Sequence, residues 1–192
     1  WRLADKVLLV EESVALPCNL RLQKHFVLPN GASMSPLPFR ESQDLGPVIR
    51  AVCFGSLYSG CLDQFISSLH VINEACSALG KRFKCTLGGR WKGFDLDRIA
   101  ELEFCEHHGM LSKEAMVKFW GEANFGISIV PDSMVYAINT KMLECVSKRK
   151  PLFLIANRGP AVDFVSQNRL GFVWESRLEN SGFESLMDWI SE

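Results

Sequence analysis

The sequence predicts an α/β protein, a doubly wound, Rossmann-like parallel sheet of about six strands with helices on both faces. Short apolar segments alternate with helical segments along most of residues 48 to 190, as in consecutive βαβ units. The clearest helical periodicity runs from Cys61 to Leu79, directly after the apolar run Val48 to Phe54. A strand, a loop, a helix and a second strand also follow one another within residues 125 to 155, which predicts a parallel crossover.

The composition fits one substantial core and excludes several classes of protein. Of the 192 residues, 47% are hydrophobic, and 21 basic side chains stand against 22 acidic ones, for a net charge of −1. That balance gives no basic face for nucleic acid. No apolar run reaches the roughly 18 residues that suggest a membrane helix and no signal peptide is visible, so we predict no transmembrane segment. The chain begins at Trp1 without an initiator Met, so we expect it to be a fragment or a processed protein.

The cysteines are scattered, and no two form a Cys-x-x-Cys pair. Their odd number and their positions in predicted strands and on apolar helix faces indicate buried free thiols, which predicts a reducing, cytoplasmic setting. Cys105, His107 and His108 form a local cluster, but adjacent residues of one strand cannot aim at one ion, and no second ligand pair has suitable spacing. We therefore predict no metal site. The cysteines are Cys18, Cys53, Cys61, Cys76, Cys85, Cys105 and Cys145.

The residues before position 48 predict a separate unit. Lys6–Val10 and His25–Pro29 are short apolar runs typical of strands, and the weakly helical residues 13–24 lie between them. Residues 32–47 carry repeated prolines and few periodic apolar positions, which indicates a linker.

The main segment alternates strands and helices in a regular order. We predict its elements from apolar runs, from caps such as Ser112 and from stops such as Gly80, whereas the polar residues 90–101 receive no assignment. In chain order, the elements are a strand at Val48–Phe54, a helix at Cys61–Leu79, strands at Arg82–Leu87 and Leu102–Glu106, a helix from Ser112 to about Trp120, a strand at Phe125–Val130, a helix from Asn139 or Thr140 to about Lys148, a strand at Leu152–Ile155, a helix at Ala161–Gln167, a strand at Gly171–Trp174 and a helix at Phe183–Ile190.

One unit within this order points to a ligand site. In open parallel sheets, ligands bind beyond the carboxyl ends of the strands, where helix N-termini offer unpaired N–H groups and a positive dipole end to anions. The helix predicted to begin at Asn139 or Thr140 opens onto that crevice. Its first turns carry Thr140, Lys141 and Glu144, which therefore lie where such a ligand would bind.

The same unit carries a motif. The segment Asn139–Cys145 reads Asn-Thr-Lys-Met-Leu-Glu-Cys and is followed by Lys150-Pro151 before an apolar strand. It resembles the donor-site signature of GT-B glycosyltransferases, and the neighbouring segments follow in the order of that family. The resemblance implies that residues 48–192 are the C-terminal, nucleotide-sugar-binding domain of a GT-B enzyme similar to group 1, family 4. It also implies the tail of an N-terminal domain at residues 1–31 and a linker at residues 32–47.

GT-B enzymes of this kind transfer a glycosyl group from a nucleotide sugar to an acceptor, and the resemblance implies the same activity for the parent protein. It implies no metal ion and no cofactor beyond the nucleotide-sugar donor, which is a substrate. The expected partners are that donor, an unidentified acceptor and the N-terminal domain in cis. Because the acceptor site and any general base would lie on the missing domain, catalytic residues stay unassigned, and the fragment alone is expected to bind nucleotide without turnover.

The resemblance also assigns donor-binding residues by position. Glu144 matches the carboxylate that holds the ribose, because a carboxylate can accept hydrogen bonds from two vicinal hydroxyls. Gly55 and Ser56 match the glycine-rich phosphate loop, and residues 109–111 match the loop whose backbone meets the base. Asn139 and Thr140 would contact phosphate or sugar, and a role as helix caps is an equal alternative for them. The predicted set is Gly55, Ser56, Gly109, Met110, Leu111, Asn139, Thr140, Lys141 and Glu144.

The sequence departs from the family pattern at two places. Many members carry an Arg and a Lys shortly after the loop glycine, whereas this chain reads Ser-Leu-Tyr-Ser-Gly-Cys after Gly55, so positive charge would come from Lys141, the helix dipole or Arg158. Tyr136 stands where many relatives carry a second Glu, which leaves the stereochemical outcome open. Two other interpretations also stay open: a sugar-nucleotide epimerase of similar architecture and a degenerate, non-catalytic domain.

The remaining polar clusters receive structural interpretations. His107 and His108 are expected to be solvent-facing turn residues, not general bases. The cationic run Lys148–Lys150 is expected to be a solvated helix end, where positive charge complements the dipole.

Overall fold

A computed structural model of the chain describes residues 7–9, 25–27, 46–57, 60–91, 96–134, 138–175 and 181–191. The predicted helix at residues 13–24, and the predicted linker apart from residues 46–47, lie outside these ranges. In chain order the elements are β1 (Val7–Leu9), β2 (His25–Val27), β3 (Val48–Phe54), α1 (Leu62–Ala78), β4 (Arg82–Gly88), α2 (Asp97–Ala100), β5 (Cys105–His107), α3 (Lys113–Glu122), β6 (Phe125–Ile129), α4 (Thr140–Ser147), β7 (Leu152–Ile155), α5 (Pro160–Gln167), β8 (Gly171–Trp174) and α6 (Ser181–Ser191).

Strands β3 to β8 form one parallel sheet in the order β5-β4-β3-β6-β7-β8, which confirms the predicted doubly wound fold. The main segment begins at the centre of the sheet with β3, builds outward to β5 and then crosses to β6 on the other side of β3. Ala51 of β3 accordingly lies beside Phe125 of β6. The strand order reverses between β3 and β6, and such a switch point opens a crevice beyond the carboxyl ends of the two strands.

Helices cover both faces of the sheet, as predicted. Alternate residues of a strand point to opposite faces, so Ala51 and Cys53 of β3 join a core with α1 and α6, whereas Val52 and Phe54 join a second core with α3, α4 and α5. Because both faces are covered, β7 is buried at all four positions, which explains its continuous apolar run.

A row of aromatic rings on the sheet packs against the last helix. The Phe125 and Phe153 ring centroids are 6.3 Å apart, and those of Phe153 and Phe172 are 5.9 Å apart. Trp189 of α6 packs on all three rings at 5.2 to 6.1 Å. Ring pairs at these separations stabilise the core beyond the area that they bury, so α6 is a fixed layer of this domain.

Three helices end in the same backbone motif with different residues. Gly80 ends α1 in the left-handed region (φ +68°), as predicted, and glycine adopts that conformation at little cost. Arg149 (φ 53°) and Arg169 (φ 52°) take the same place after α4 and α5. The motif nevertheless forms after α4, because the Lys150 N–H donates to the Cys145 carbonyl at 3.0 Å.

Two predictions about secondary structure and helix ends need correction. The strand predicted at Leu102–Glu106 begins at Cys105 instead. The N–H of Leu102 closes the turn after α2 on the Ile99 carbonyl, and Leu102 is apolar because it is buried there, not because it belongs to a strand. The run Lys148–Lys150 is only partly solvated, since Lys150 is half-buried and its ammonium group donates a hydrogen bond to the Ala123 carbonyl. This bond connects the end of α4 to the end of α3.

The two strands before the main domain are confirmed. Strand β1 pairs with β2 in parallel, and Val7 lies opposite His25. They form a two-stranded sheet separate from the six-stranded one. Their assignment to the tail of a preceding domain stays a prediction.

Six of the seven cysteines lie within the described residues, where they are buried and free, as the sequence predicts, and Cys18 lies outside those residues. Burial raises the pKa of Cys53 to about 11, partly offset by the charge of Lys141. In the ranges that the structure describes, no group of three or more His, Cys, Asp or Glu side chains could hold a metal ion. No helix in those ranges has the length and apolar character to cross a membrane.

Candidate functional site

The loops that follow β3, β4 and β5 are joined by backbone hydrogen bonds at the carboxyl edge of the sheet. The Gly55 N–H donates to the Gly88 carbonyl at 2.8 Å, and the Gly89 N–H donates to the Gly109 carbonyl at 2.7 Å. This chain of contacts connects two segments that the sequence predicts for donor binding, the one at Gly55 and the one at Gly109. They form one continuous rim beside the switch point.

Two glycines allow these loops to approach each other closely. A Cβ atom added at Gly89 would lie 2.5 Å from the carbonyl oxygen of Gly55, closer than real Cβ contacts come, and Gly89 also has a φ of +132°. Gly55 has a φ of +96°, and a Cβ there would lie 3.2 Å from Cε of Lys141. Side chains at either position would therefore strain the backbone, and Gly89 belongs to the rim although the sequence analysis did not single it out.

Lys141 connects the two sides of the crevice. Its Nζ atom donates to the carbonyl oxygen of Ser56 at 2.6 Å, so a side chain from the first turn of α4 reaches the loop after β3. Three predicted residues, Gly55, Ser56 and Lys141, are thus neighbours although 85 residues separate the last two. The loop after β3 carries no cation of its own, and Lys141 places a cation beside it.

The N-terminus of α4 is held by a buried side-chain network. Asn139 caps the helix, since its Oδ1 accepts from the Met142 N–H at 3.1 Å, and its amide Nδ2 donates to Oγ of Ser128 at 2.9 Å. Asn139 is 7% exposed and Ser128 is fully buried, so this pair joins α4 to β6 inside the protein. The cap predicted for Asn139 or Thr140 is therefore formed by Asn139, while Thr140 is exposed at the first helical position.

Glu144 lies one turn further along α4, on the same side of the helix as Lys141, because residues three apart in a helix are neighbours. It is half-buried, and its Oε1 accepts from the indole Nε1–H of Trp120 at 3.1 Å. The sequence analysis did not identify Trp120. A signal existed, since a buried Trp N–H usually requires an acceptor, but nothing in the sequence says which acceptor it finds.

The segment from Gly109 to Leu111 presents a mixed surface. Gly109 has a φ of +63°, and Met110 is 71% exposed. Leu111 is half-buried and packs against Gly88, since a Cβ added at Gly88 would lie 2.5 Å from Cδ1 of Leu111. Backbone groups of this segment lie on the same rim as Gly89. Contact between these backbone groups and the base of a ligand stays a prediction.

A buried tryptophan supports the rim from below. Nε1 of Trp91 donates to the Gly55 carbonyl at 2.8 Å, and the Trp91 ring packs edge-on against Phe65 with centroids 5.6 Å apart. The ring also lies 5.2 Å from that of His107. Because the indole fixes the Gly55 carbonyl, the backbone of this loop is held in one orientation.

His107 is not the solvent-facing turn residue that the sequence predicts. It is half-buried at the end of β5, and within the described residues its Nε2 atom has no hydrogen-bond partner. Burial and the neighbouring His108 lower the pKa of His107, although a backbone contact with Gly89 opposes this shift. The shift favours the neutral imidazole, and the ring belongs to the packing around Trp91. His108 is exposed, as predicted.

The loops after β6 and β7 also touch. The Asp132 carboxylate accepts from Nδ2 of Asn157 at 3.2 and 3.3 Å. Arg158 follows in the same loop and is exposed. Its predicted role in binding phosphate stays a prediction. Tyr136 lies outside the described residues.

The strand order, the loops at the switch point and the capped helix beside them define a Rossmann-like α/β domain. No protein-family model and no curated protein matches the sequence. Solved structures do match. TarM superposes with a TM-score of 0.68 at 14% identity, over 97% of this chain and 36% of TarM.

Two further structures show the same likeness. WaaG, a glycosyltransferase involved in lipopolysaccharide biosynthesis, has a TM-score of 0.59 at 12% identity, over 97% of this chain and 52% of WaaG. The pneumococcal O-GlcNAc transferase GtfA, solved in complex with UDP and GlcNAc, has a TM-score of 0.56 at 11% identity, over 98% of this chain and 38% of GtfA. At such identities the likeness establishes the fold, and this chain spans between about a third and a half of each protein's length.

Proposed function

We propose that this chain is the nucleotide-sugar-binding part of a GT-B glycosyltransferase. The observation that carries the proposal is the hydrogen bond from Lys141 Nζ to the Ser56 carbonyl across the switch point. It brings a cation and a helix N-terminus to the place where doubly wound sheets bind phosphate-bearing ligands. The complex of GtfA with UDP and GlcNAc supports the same class of ligand.

Lys141 would bind the donor diphosphate together with the first turn of α4. An ammonium group has three donors, and a charged phosphate oxygen is a stronger acceptor than a peptide carbonyl. A diphosphate at this helix N-terminus would therefore draw Lys141 from Ser56 or share it with Ser56. The helix dipole and the outward-pointing first N–H groups add to the attraction.

Glu144 and the rim would hold the nucleoside. The half-buried carboxylate of Glu144 lies one turn from Lys141 and can accept hydrogen bonds from vicinal ribose hydroxyls. The loop at Gly109–Leu111 would contact the base through backbone groups. These assignments extend the sequence predictions, and Gly55 and Ser56 would allow the backbone to approach the phosphates.

In the transfer reaction, the bond between the anomeric carbon and the diphosphate oxygen breaks, and a bond from an acceptor oxygen to that carbon forms. The acceptor loses its proton, and the nucleoside diphosphate leaves with the bonding electrons. Lys141 and the α4 N-terminus would stabilise the charge on the leaving diphosphate. The acceptor site and any general base are proposed to lie in the part of the protein beyond this chain, so turnover is expected of the whole enzyme.

A second candidate is a domain that keeps this fold without catalysing transfer. The observation that favours it is the loop from Gly55 to Cys61, which contains no Arg or Lys. The two candidates differ in a simple measurement. A transferase turns over donor when the complete protein meets its acceptor, whereas a non-catalytic domain does not.

Calorimetric titration of the chain with UDP, GDP, ADP, CMP and their common sugar conjugates tests the proposal. We expect one nucleotide class to bind, and we expect Glu144→Gln to weaken that binding by about 1.5–3 kcal/mol, because the substitution removes a charged acceptor while keeping its shape. Glu74→Gln is the matched control, since Glu74 is exposed on α1. Absence of binding to every nucleotide would contradict the proposal, and equal binding by both variants would remove Glu144 from the ribose site.

A further inference from the structure

A side-chain hydrogen bond links the end of α3 to the second turn of α4. The indole Nε1–H of Trp120 donates to Oε1 of Glu144 at 3.1 Å, between residues 24 positions apart in the chain. We infer that Trp120 is a positioning residue for Glu144, which fixes one carboxylate oxygen so that the other faces the ribose hydroxyls of the donor. This inference rests on the proposed function, in which Glu144 holds the ribose.

The orientation of the Trp120 ring is set by packing. The side chain is 3% exposed, and its ring meets that of Phe54 edge-on, with centroids 5.8 Å apart and an interplanar angle of 89°. Gly126 of β6 leaves the space that the ring occupies, since a Cβ there would lie 2.7 Å from Cη2 of Trp120. With the ring held on two sides, the direction of its N–H is fixed as well.

A fixed donor matters because the terminal torsion of a glutamate is soft. The carboxylate of an unpaired Glu rotates over a broad range, so binding a ligand in one orientation costs entropy. The Trp120 N–H occupies one of about four acceptor positions on the two oxygens of Glu144. Oε2 and the remaining lone pair of Oε1 are then oriented before the nucleotide arrives. The pairing also satisfies an indole N–H that would otherwise be buried without an acceptor.

Substitution of the indole separates this role from packing. Trp120→Phe keeps an aromatic ring in the slot but removes the donor, and we expect it to weaken nucleotide binding by about 5- to 20-fold. Because the indole acts through Glu144, the double variant W120F/E144Q should bind no more weakly than E144Q alone. Trp189→Phe is the control, since Trp189 belongs to the core on the other face of the sheet and should leave the affinity unchanged.

Proton–nitrogen NMR of the indole groups gives a second readout, in which W120F serves only to assign a resonance and the shift itself is measured in E144Q. The Trp120 Nε1–H resonance is identified by its loss in W120F. In E144Q, which leaves every tryptophan in place, we expect this resonance to move upfield, because a charged acceptor is replaced by a neutral one. The Trp189 resonance should stay where it is.

The outcomes separate this inference from the function on which it rests. If W120F binds nucleotide like the wild type while E144Q binds weakly, or if the losses of the single variants multiply in the double variant, the positioning role is overturned and the proposed function stands. A Trp120 resonance that does not respond to E144Q overturns it as well. If the wild-type chain binds no nucleotide, both fail together.

Discussion

The two segments that flank the switch point are built by different means. The loop after β3 depends on its backbone, since Gly55 adopts a left-handed conformation and the carbonyls of Gly55 and Ser56 accept from Trp91 and Lys141. The segment that enters α4 depends on its side chains, because Asn139 caps the helix, Lys141 crosses the crevice and Glu144 faces the indole of Trp120.

This difference shows what the loop after β3 and the segment that enters α4 each contribute to the crevice. The loop after β3 supplies shape, and a substitution there should act mainly on the free energy of unfolding. The segment entering α4 supplies charge and hydrogen-bonding groups, and a substitution there should act mainly on binding. Lys141 belongs chemically to one side and touches the other, so it joins the two.

The largest effect is expected from a substitution at Gly89, in the loop after β4 that packs against the loop after β3. Gly89→Ala should lower the free energy of unfolding by about 2–4 kcal/mol, because its Cβ would meet the Gly55 carbonyl and its φ is +132°. Urea unfolding followed by circular dichroism measures this. Gly121→Ala on α3 is the control, since no atom lies within 4 Å of a Cβ there. It should leave stability equal or slightly higher, and a similar loss in both variants would contradict the prediction.

Removing the charge on the other side should act on binding instead. Lys141→Met is expected to weaken nucleotide binding by about 1.5–3 kcal/mol, because a charged donor to the diphosphate is lost. The remaining affinity should also depend less on salt. Calorimetric titration at two salt concentrations measures both effects. Lys118→Met, at an exposed position of α3, should behave like the wild type. Unchanged binding in K141M would show that the positive charge comes from elsewhere.

The smallest effect is expected on the free energy of unfolding, from the loss of the helix cap in the segment that enters α4. Asn139→Ala should lower the free energy of unfolding by about 1–2 kcal/mol, because it removes a helix cap and leaves the buried Ser128 hydroxyl without its partner. Ser112→Ala removes the exposed cap of α3, whose Oγ accepts from the Ala115 N–H, and should cost about 0.5–1 kcal/mol. Thermal unfolding of both variants gives the ranking. Equal losses would mean that the link to Ser128 adds no stability.

The sequence predicts what local patterns encode. The strands other than β5, the long helix α1, the cap at Ser112 and a cap at Asn139 or Thr140 follow from periodicity and capping chemistry. The structure confirms them, with Asn139 as the cap of α4. The strand β5 was misplaced because the buried Leu102 of the preceding turn looks like a strand residue to any local rule. At the site, the residues of each loop are visible in the sequence, but their partners are not.

The partners that sequence reasoning missed are reached across the fold. Ser128 bonds to Asn139 and Trp120 to Glu144, and each pair joins different elements. Gly89 is required by its distance to Gly55, which depends on how two loops meet. Such contacts are set by tertiary packing, so one sequence read alone carries their residue types but not their pairing.

The hydrogen bond from Lys141 to Ser56 has a consequence for the energetics of the crevice. A long, flexible lysine side chain loses about 1.5–2 kcal/mol of conformational entropy when it becomes ordered. In this fold, the carbonyl of Ser56 has already ordered that side chain before any anion arrives. An incoming phosphate therefore exchanges one acceptor for another and does not have to immobilise a free cation.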